Sequence, residues 1–529
     1  VSAPGYAKPN TEDPQTFNIE VGLRDFQGPG SKINWRPVGS YLNAGFSWTF
    51  GLEPGTFAFE LRYDHPLTSV ITTDAVQDTC FHIRLGKNPL GVMGYNGIPW
   101  TGRVIDVEVS GKPGRERFVF TGRCNKIWLQ SQYAWVNNLF PPEIQVGLTG
   151  KQDVEIGAPD PVMKSYVTKV AIRNDVPVYS ALPIRQPSAW DDLHIDDFDS
   201  LDDVFDFLGD VTEPIMFSQA RFTQLDELFA QDVERLEWGI SLELWDGHGT
   251  PPSAFNTATL SNLQSIIDYT SGHFLDLSRL ASVGGGLWSD TPDRACYVFD
   301  TYEKRDNRKV QFRTDADGQI KDYTAKGTHA LAYNAIVGGK SPAILNDVIE
   351  IGANLAISLL LNLLAPGLGL GVVVGDLFDD IFFAYQVFWD NALRDRIGKD
   401  DALPEKFADN TAAWSLDGYA TGQASLKEWG GSQAITINAL SGLPGRGNSF
   451  GADDGSPTRY RCGDIVHLWD RGNFVEKHIT KVTVTDAPGE RRREIPVLGD
   501  DKRLKGPWSR LVSTIQTTGA RLNGAANAV

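Results

Sequence analysis

Gly447, Asn448, Ser449, Phe450 and Gly451 spell G-x-S-x-G, the pattern that holds a serine nucleophile on a sharp strand-to-helix bend over an oxyanion hole. Acyl transfer by that serine also needs a histidine to take its proton and an acid to orient the histidine. Asp464 and His467 follow in that chain order. Two features count against the chemistry. Ala452 to Thr458 is a loop of Asp, Gly, Ser and Pro with no helical pattern, and Asp464 and His467 stand too close together for the separate loops of an α/β-hydrolase. A hydrolase of cell wall or esters is therefore an alternative expectation, and no catalytic residue is assigned.

Gly338, Gly339, Lys340 and Ser341 imitate the end of a phosphate-binding loop, but Asn334 stands where the first glycine of that motif belongs and Pro342 follows at once. Ser341 and Pro342 read better as the N-cap and first position of a helix. The glycines from Gly367 to Gly375 do not form G-x-G-x-x-G and follow no strand pattern, so no dinucleotide site is expected. The eight histidines are dispersed, and His65 and His248 sit in turn-like contexts. Cys80, Cys124, Cys296 and Cys462 form no C-x-x-C pair, which predicts free thiols and neither a disulfide framework nor structural zinc. Nine aspartates between Trp190 and Asp210 suggest calcium. They lack the turn glycine and terminal glutamate of an EF-hand, and Val204, Phe205, Phe207 and Leu208 at helical spacing favour a helix with acids near its N-terminus. No cofactor and no metal are expected.

The elements that would position any site follow from composition and period. With 529 residues the chain exceeds one core, so several domains of about 100 to 200 residues each are expected. Its 41% apolar and 22% charged residues fit folded modules, and 53 glycines with short alternating runs predict β-structure joined by turns. A net charge of -18 opposes a sequence-independent grip on nucleic acid and suits a wall past which DNA slides. Arg491, Arg492 and Arg493 read as a solvated turn. Pro4, Pro9, Pro14 and scattered charges replace the basic start and apolar stretch of a secretory signal, so export by that route is not expected.

Phe57, Phe59 and Leu61, then Phe81, Ile83 and Leu85, then Ile105, Val107 and Val109 alternate with smaller or polar residues between Gly45 and about Leu129. This predicts a small antiparallel barrel or sandwich. Leu225, Leu228, Phe229, Val233 and Leu236 predict an amphipathic helix, and Trp238 to Trp245 a strand. Period two returns in Ala434 to Asn438, Ile465 to Leu468, Phe474 to Thr485 and Ile495 to Val497. The expected fold is α+β, mainly β: a β-barrel-like domain over 1–180, a mixed α/β middle domain over 181–335, an apolar helical hairpin over 336–410 and a β-domain with a tail over 411–529.

Ile351 to Gly375 carries no formal charge, but Pro366, Gly367, Gly369 and Gly371 interrupt it, leaving helical pieces too short to cross a bilayer. With Ile381 to Trp389 it reads as a helical hairpin whose tip, Ala365 to Val374, is covered by a partner or buried in the chain's own core. Leu363, Leu364, Leu368, Leu370, Val372, Val373 and Val374 are the candidate plug or partner-contact residues. Insertion of 355–374 into a membrane is a further alternative.

Several strings resemble one family. They are Trp48 through Gly55, Thr56 and Phe57 to Asp64, His65, Pro66 and Leu67; Arg221, Phe222, Thr223, Leu225, Asp226, Glu227 and Leu228; Gly338 to Pro342 and Asn346 with Asp379, Asp380, Phe383, Ala384 and Tyr385; and Arg461 to Asp470 with Ile479 to Thr485, Gly499 and Asp500. Ordered as they are here, they look like the tail-tip hub, or minor tail, proteins of long-tailed phages that infect actinobacteria. The resemblance implies a structural virion protein assembled in the host cytoplasm, with no catalytic residues to carry over. It also implies a homotrimer that closes a six-fold tail tube through two related β-barrels per subunit. Its partners would be the distal tail ring, the tape-measure protein and peripheral tail-tip fibres or minor tail proteins. DNA would pass without specific binding, and host-membrane contact would be transient.

Overall fold

The computed structural model describes residues 15–25, 31–88, 91–136, 153–185, 216–255, 292, 294–313, 320–330, 332–339, 385–398, 405–411, 425–426, 432–439, 447–470, 473–488 and 490–499. The first strands are β1 (Ile19–Arg24), β2 (Ile33–Pro37), β3 (Ala44–Thr49), β4 (Thr56–Arg62), β5 (His82–Leu85), β6 (Thr101–Ser110) and β7 (Arg117–Cys124). The middle contributes β8 (Tyr133–Ala134), β9 (Asp153–Gly157), β10 (Val178–Ala181), β11 (Met216–Ala220), β12 (Thr223–Gln224), β13 (Gly239–Trp245), β14 (Ala254–Phe255) and β15 (Cys296–Tyr302). Then come β16 (Arg305–Arg313), β17 (Ile320–Thr328), β18 (Asn334–Gly339), β19 (Tyr385–Trp389), β20 (Lys406–Thr411), β21 (Ser432–Ala439), β22 (Ser449–Phe450), β23 (Arg459–Tyr460), β24 (Asp464–Asp470), β25 (Asn473–Ala487) and β26 (Glu490–Gly499).

Alternation explains β4: Phe57, Phe59 and Leu61 are buried, while Thr56, Ala58 and Arg62 face water. Phe81, Ile83 and Leu85 are buried in the same way at β5. Cross-strand neighbours then stack their rings, Phe46 on Phe57 at 5.8 Å and Phe59 on Phe120 at 4.9 Å, and Phe57 stacks on Phe59 of its own strand at 5.8 Å. Gly122 lets β6 and β7 approach beneath this stack, since a Cβ there would lie 2.0 Å from the Arg103 carbonyl oxygen and 2.5 Å from the Phe57 ring. The third predicted run departs from expectation. The pairing of β6 with β7 shifts between Val104 and Asp106, so Val104 is buried, Val107 is half-buried, and Ile105 and Val109 are 38% and 39% exposed.

The strands from the two ends of the chain are not separate. Thirteen strands form one sheet along the path β17-β21-β26-β25-β3-β4-β7-β6-β5-β1-β2, with β24 beside β25 and β16 beside β24. The 15-residue β25 is the junction: it pairs with β24, β26 and β3, and Trp48 of β3 lies opposite Val482. A single apolar core accordingly takes Phe46, Phe59 and Phe120 from one end and Val466, Val482 and Leu498 from the other. The fold is mainly β, as expected, but the sheet is open along its length and no closed barrel is present among the described residues.

The middle is a second core. The helix Pro159–Arg173 and the predicted helix, found at Leu225–Leu236, pack Val162, Tyr166, Val170, Phe229 and Val233 against Ile240, Leu242 and Phe299 of the four-stranded sheet β13-β15-β10-β14. Leu225, Phe229 and Val233 recur every four residues on the buried face, Asp226 and Glu227 sit at the positive end, and Glu237 in the left-handed region at φ 55° stops the helix. The predicted strand from Trp238 is β13.

At the end of the predicted apolar hairpin the structure corrects the helical expectation. Tyr385–Trp389 is strand β19, antiparallel to β18, which in turn runs parallel to β20. Aromatic and β-branched residues favour the pleat, and Phe388 is 5% exposed where Val387 and Trp389 on the other face are 43% and 48% exposed. The acidic run Trp190 to Asp210, the hairpin tip and the tail beyond Trp508 lie outside the described residues.

The aromatic stack sets an expectation: Phe59→Ala costs about 3–5 kcal/mol, whereas Ile105→Ala stays within about 0.5 kcal/mol of the unaltered chain. Urea midpoints measured side by side decide it, and equal losses at the two positions would contradict the core assignment.

Candidate functional site

Ser449 lies on the short strand β22, parallel to β23, and not on a strand-to-helix bend. Its Oγ accepts a hydrogen bond from Arg459 Nη1 at 3.0 Å and makes a long contact, 3.4 Å, to Glu494 Oε1. Asp464 points elsewhere: its carboxylate accepts from Arg305 Nε and Nη2 at 2.7 Å each, from Asn307 Nδ2 at 2.7 Å and from the Arg461 backbone N–H at 3.0 Å. His467 stands 3.7 Å from Glu476 and its ring 5.6 Å from that of Phe474. Serine, acid and histidine therefore serve three different contacts, and the proton relay that acyl transfer requires is not assembled.

What these residues do build is a set of carboxylates shut away from water. Asp464, Asp486 and Glu494 each have no exposed surface. Glu494 accepts from Tyr95 OH at 2.7 Å, Tyr460 OH at 2.9 Å and the Phe450 backbone N–H at 2.7 Å. Asp486 accepts from the Thr16 backbone N–H at 2.9 Å and Oγ1 at 2.8 Å, and from Tyr41 OH. Burial, and then the Glu494 charge and hydrogen bond, hold the Tyr95 hydroxyl well above the usual phenol range, so it stays a donor. The hydrogen bond to Asp464 raises the Arg305 guanidinium above its ordinary range. These bonds span long stretches of chain, 470 residues for Thr16 to Asp486 and 399 for Tyr95 to Glu494.

The three acids were not singled out from sequence, yet each extends an apolar alternation by one step. Asp464 precedes buried Val466 and Leu468, Asp486 follows buried Val482 and Val484, and Glu494 precedes Pro496 and Leu498 on the inward face of β26. An acid in phase with a buried face was the signal. Two lysines gave none. Lys126 donates to the carbonyls of Thr49 at 2.9 Å and Gly51 at 2.6 Å, with its pKa lowered by burial. Lys164 meets Asp160 at 2.9 Å and Asp300 at 3.2 Å. Burial would raise the Asp300 carboxyl, but the Arg185 hydrogen bond and the Lys164 charge outweigh it and hold the pKa low.

The other sequence candidates resolve simply. His65 Nδ1 accepts from the Leu67 N–H in a tight turn, and its Nε2 lies 2.8 Å from the Val38 carbonyl. His248 is exposed in a turn. Gly338 and Gly339 belong to strand β18 and not to a phosphate cradle, while Lys340 and Ser341 lie outside the described residues. Arg491, Arg492 and Arg493 lie within β26, with Arg493 opposite Thr485 of β25, and not in a turn. All four cysteines are free, and no cluster suited to a metal occurs among the described residues. Leu363, Leu364, Leu368, Leu370, Val372, Val373 and Val374 lie outside the described residues.

Ser449→Ala should cost about 0.5–1.5 kcal/mol, the worth of an ordinary hydrogen bond, and a fluorophosphonate probe should leave Ser449 unlabelled. Labelling seen by peptide mass, or an esterase activity lost in the variant, would restore the hydrolase.

Comparison with curated proteins finds no match. Among solved structures, the prophage MuSo2 43 kDa tail protein from Shewanella oneidensis is similar at TM-score 0.41 and 12% identity, over 91% of this chain and 98% of that one. A tail protein from Neisseria meningitidis MC58 is similar at TM-score 0.40 and 11% identity, over 92% and 97%. Prophage tail protein gp18 from Listeria monocytogenes EGD-e follows at 0.38 and 7%, over 94% and 99%. At such scores these likenesses carry no argument. The model of one family, the siphovirus ReqiPepy6 Gp37-like proteins, matches residues 41–500. That span runs from just before β3 to just past β26 and takes in every buried acid described above, so the chain belongs to the siphovirus ReqiPepy6 Gp37-like protein family, a family of phage tail proteins.

Proposed function

We propose that this tail protein is the hub subunit of the tail tip, which closes the tail tube and joins its six-fold symmetry to a three-fold tip. The observation that carries the reading is the single sheet built from both ends of the chain, within a match to a phage tail family over residues 41–500. Each subunit presents two runs of strands on either side of the β25–β3 junction, β4-β7-β6-β5-β1-β2 on one side and β26-β21-β17 on the other. Three copies in a ring would offer six such runs to a six-fold tube, a closed arrangement in which every subunit repeats the same contacts.

In this reading the partners are the distal tail ring, the tape-measure protein and peripheral fibres or minor tail proteins. DNA passes through without specific binding, as the net charge of -18 favours. The uncharged segment, with Leu363, Leu364, Leu368, Leu370, Val372, Val373 and Val374, gathers at the three-fold axis as a plug. Among the described residues no helix is long and apolar enough to cross a membrane.

Cryo-imaging of tails carrying a label on this subunit should show one ring of three copies at the tip. A different copy number, or label along the tube, would refute the hub. Deleting residues 367–374 should leave tails that assemble but fail to close, read as DNA or tape-measure protein lost from purified particles. Normally closed tails with unchanged DNA retention would remove the plug.

A further inference from the structure

The face of β5 turned away from the main core packs against the four-stranded sheet, and its two residues there meet opposite environments. Arg84 is balanced: Nε donates to Glu20 at 2.5 Å, Nη1 donates to Asp246 Oδ2 at 2.6 Å, and the guanidinium lies 4.2 Å from the Trp35 ring. Asp246 also takes the Trp35 indole N–H at 2.9 Å, and its backbone carbonyl takes the Ile33 N–H at 3.0 Å. Leu244 N–H reaches Thr101 Oγ1 at 3.3 Å. These contacts join the two sheets.

His82, two residues before Arg84, is only 2% exposed, and its Nδ1 has no hydrogen-bond partner. Arg103 of β6 is its direct cross-strand neighbour. Arg24 of β1, the second nearby cation, donates to the Ala295 carbonyl at 2.8 Å. Tyr297 of β15 sets its ring 6.5 Å from the imidazole and 5.8 Å from the Arg103 guanidinium. Tyr297 and Cys296 of β15 face the same seam, with the Arg294 charge acting on Cys296. Burial raises Tyr297 and pushes Cys296 up to about 12, and Cys80 precedes the strand. The carboxylates of the seam, Glu20 and Asp246, are both engaged by Arg84.

We propose that this seam is an acid-released joint, in which one proton taken from solvent by His82 parts β5 and its neighbours from the four-stranded sheet while each sheet keeps its own core and the Phe50 carbonyl keeps the Ile240 N–H. The proton comes from water and stays on the imidazole. The product is a third cation between Arg24 and Arg103 whose Nδ1–H finds no acceptor in the seam. An uncompensated charge of this kind is what buried sites do not tolerate.

Burial, with the Arg103 and Arg24 charges adding to it, depresses His82 from its ordinary 6.5 to about 3. The sign follows: the joint is fully closed above pH 6.5 and loses stability as pH falls from 6.5 toward 3. At pH 5 the opening constant is about 30-fold larger than at neutral pH, since only the open form takes the proton. Arg84, paired with Glu20 and Asp246, forms the other half of the seam. The inference stands on the seam alone and is independent of the hub reading.

Hydrogen exchange of the full chain at pH 7.5 and pH 5.0, corrected for intrinsic rates, tests it. Peptides holding the Ile33 and Leu244 amides should open about 30-fold more at pH 5.0, while peptides from β4 stay unchanged. In His82→Gln and His82→Leu the acid effect should vanish. Equal loosening in both variants, or none in the unaltered chain, would overturn the joint. Imidazole NMR of the unaltered protein is independent of any folding defect in the variants. His82 should remain neutral to about pH 4, and a titration near pH 6.5 would overturn the proposal.

Discussion

A carboxylate taken out of water costs several kcal/mol unless donors replace its lost hydration, and the 13-stranded sheet depends on three places where they do. Asp464, Asp486 and Glu494 sit on β24, β25 and the start of β26, the strands that bring the end of the chain against β3. Apolar burial alone forbids a one-residue slip, which would turn Val482 and Val484 away from the core, but a two-residue slip would keep the same face inward. The acids forbid that slip too. Each fits one set of donors, and Thr16, Tyr41, Tyr95 and Arg305 reach those donor positions from far along the chain. The hydrogen bonds define which strands meet, and the aromatic core supplies the attraction once they have.

Much of this was legible in the sequence. Period two located β4, β5, β21, β24, β25 and β26, and period 3.6 located the helix at Leu225–Leu236. Local pattern could not show that the strands at the two ends share one sheet, since pairing partners hundreds of residues apart leave no mark on either run. Nor could it anticipate the slip at Ile105, where one extra residue in β6 moves the rest of the run off the core. Tyr385–Trp389 was misread because a short apolar run has the same look in a buried helix and in a strand, and only its pairing with β18 separates them.

The hydrolase signature illustrates a different limit. G-x-S-x-G is a string of small residues that suits any tight approach of backbones, and here Gly451 and Phe450 bring β22 beneath Asn96 and Tyr95. Chemistry would need the strand to turn at Ser449 and a base to stand beside it, and the nearest partners are an arginine and a buried acid. Two of the three buried acids, Asp464 and Glu494, stand among the residues of the motif, and there they serve the framework of the tail protein. In this fold the polar groups most suggestive of catalysis are consumed by structure.

The pairing of Thr16 with Asp486 has a consequence for synthesis in the host cell. A ribosome adding about 5–20 residues per second takes on the order of half a minute or more to travel between those two positions. Throughout that interval the nascent β3 strand has its partner-facing edge bare, because β25 does not yet exist. Completion of this sheet waits for the synthesis of β25, and a polypeptide halted before β25 carries an open edge of the kind that chaperones hold and aggregates recruit.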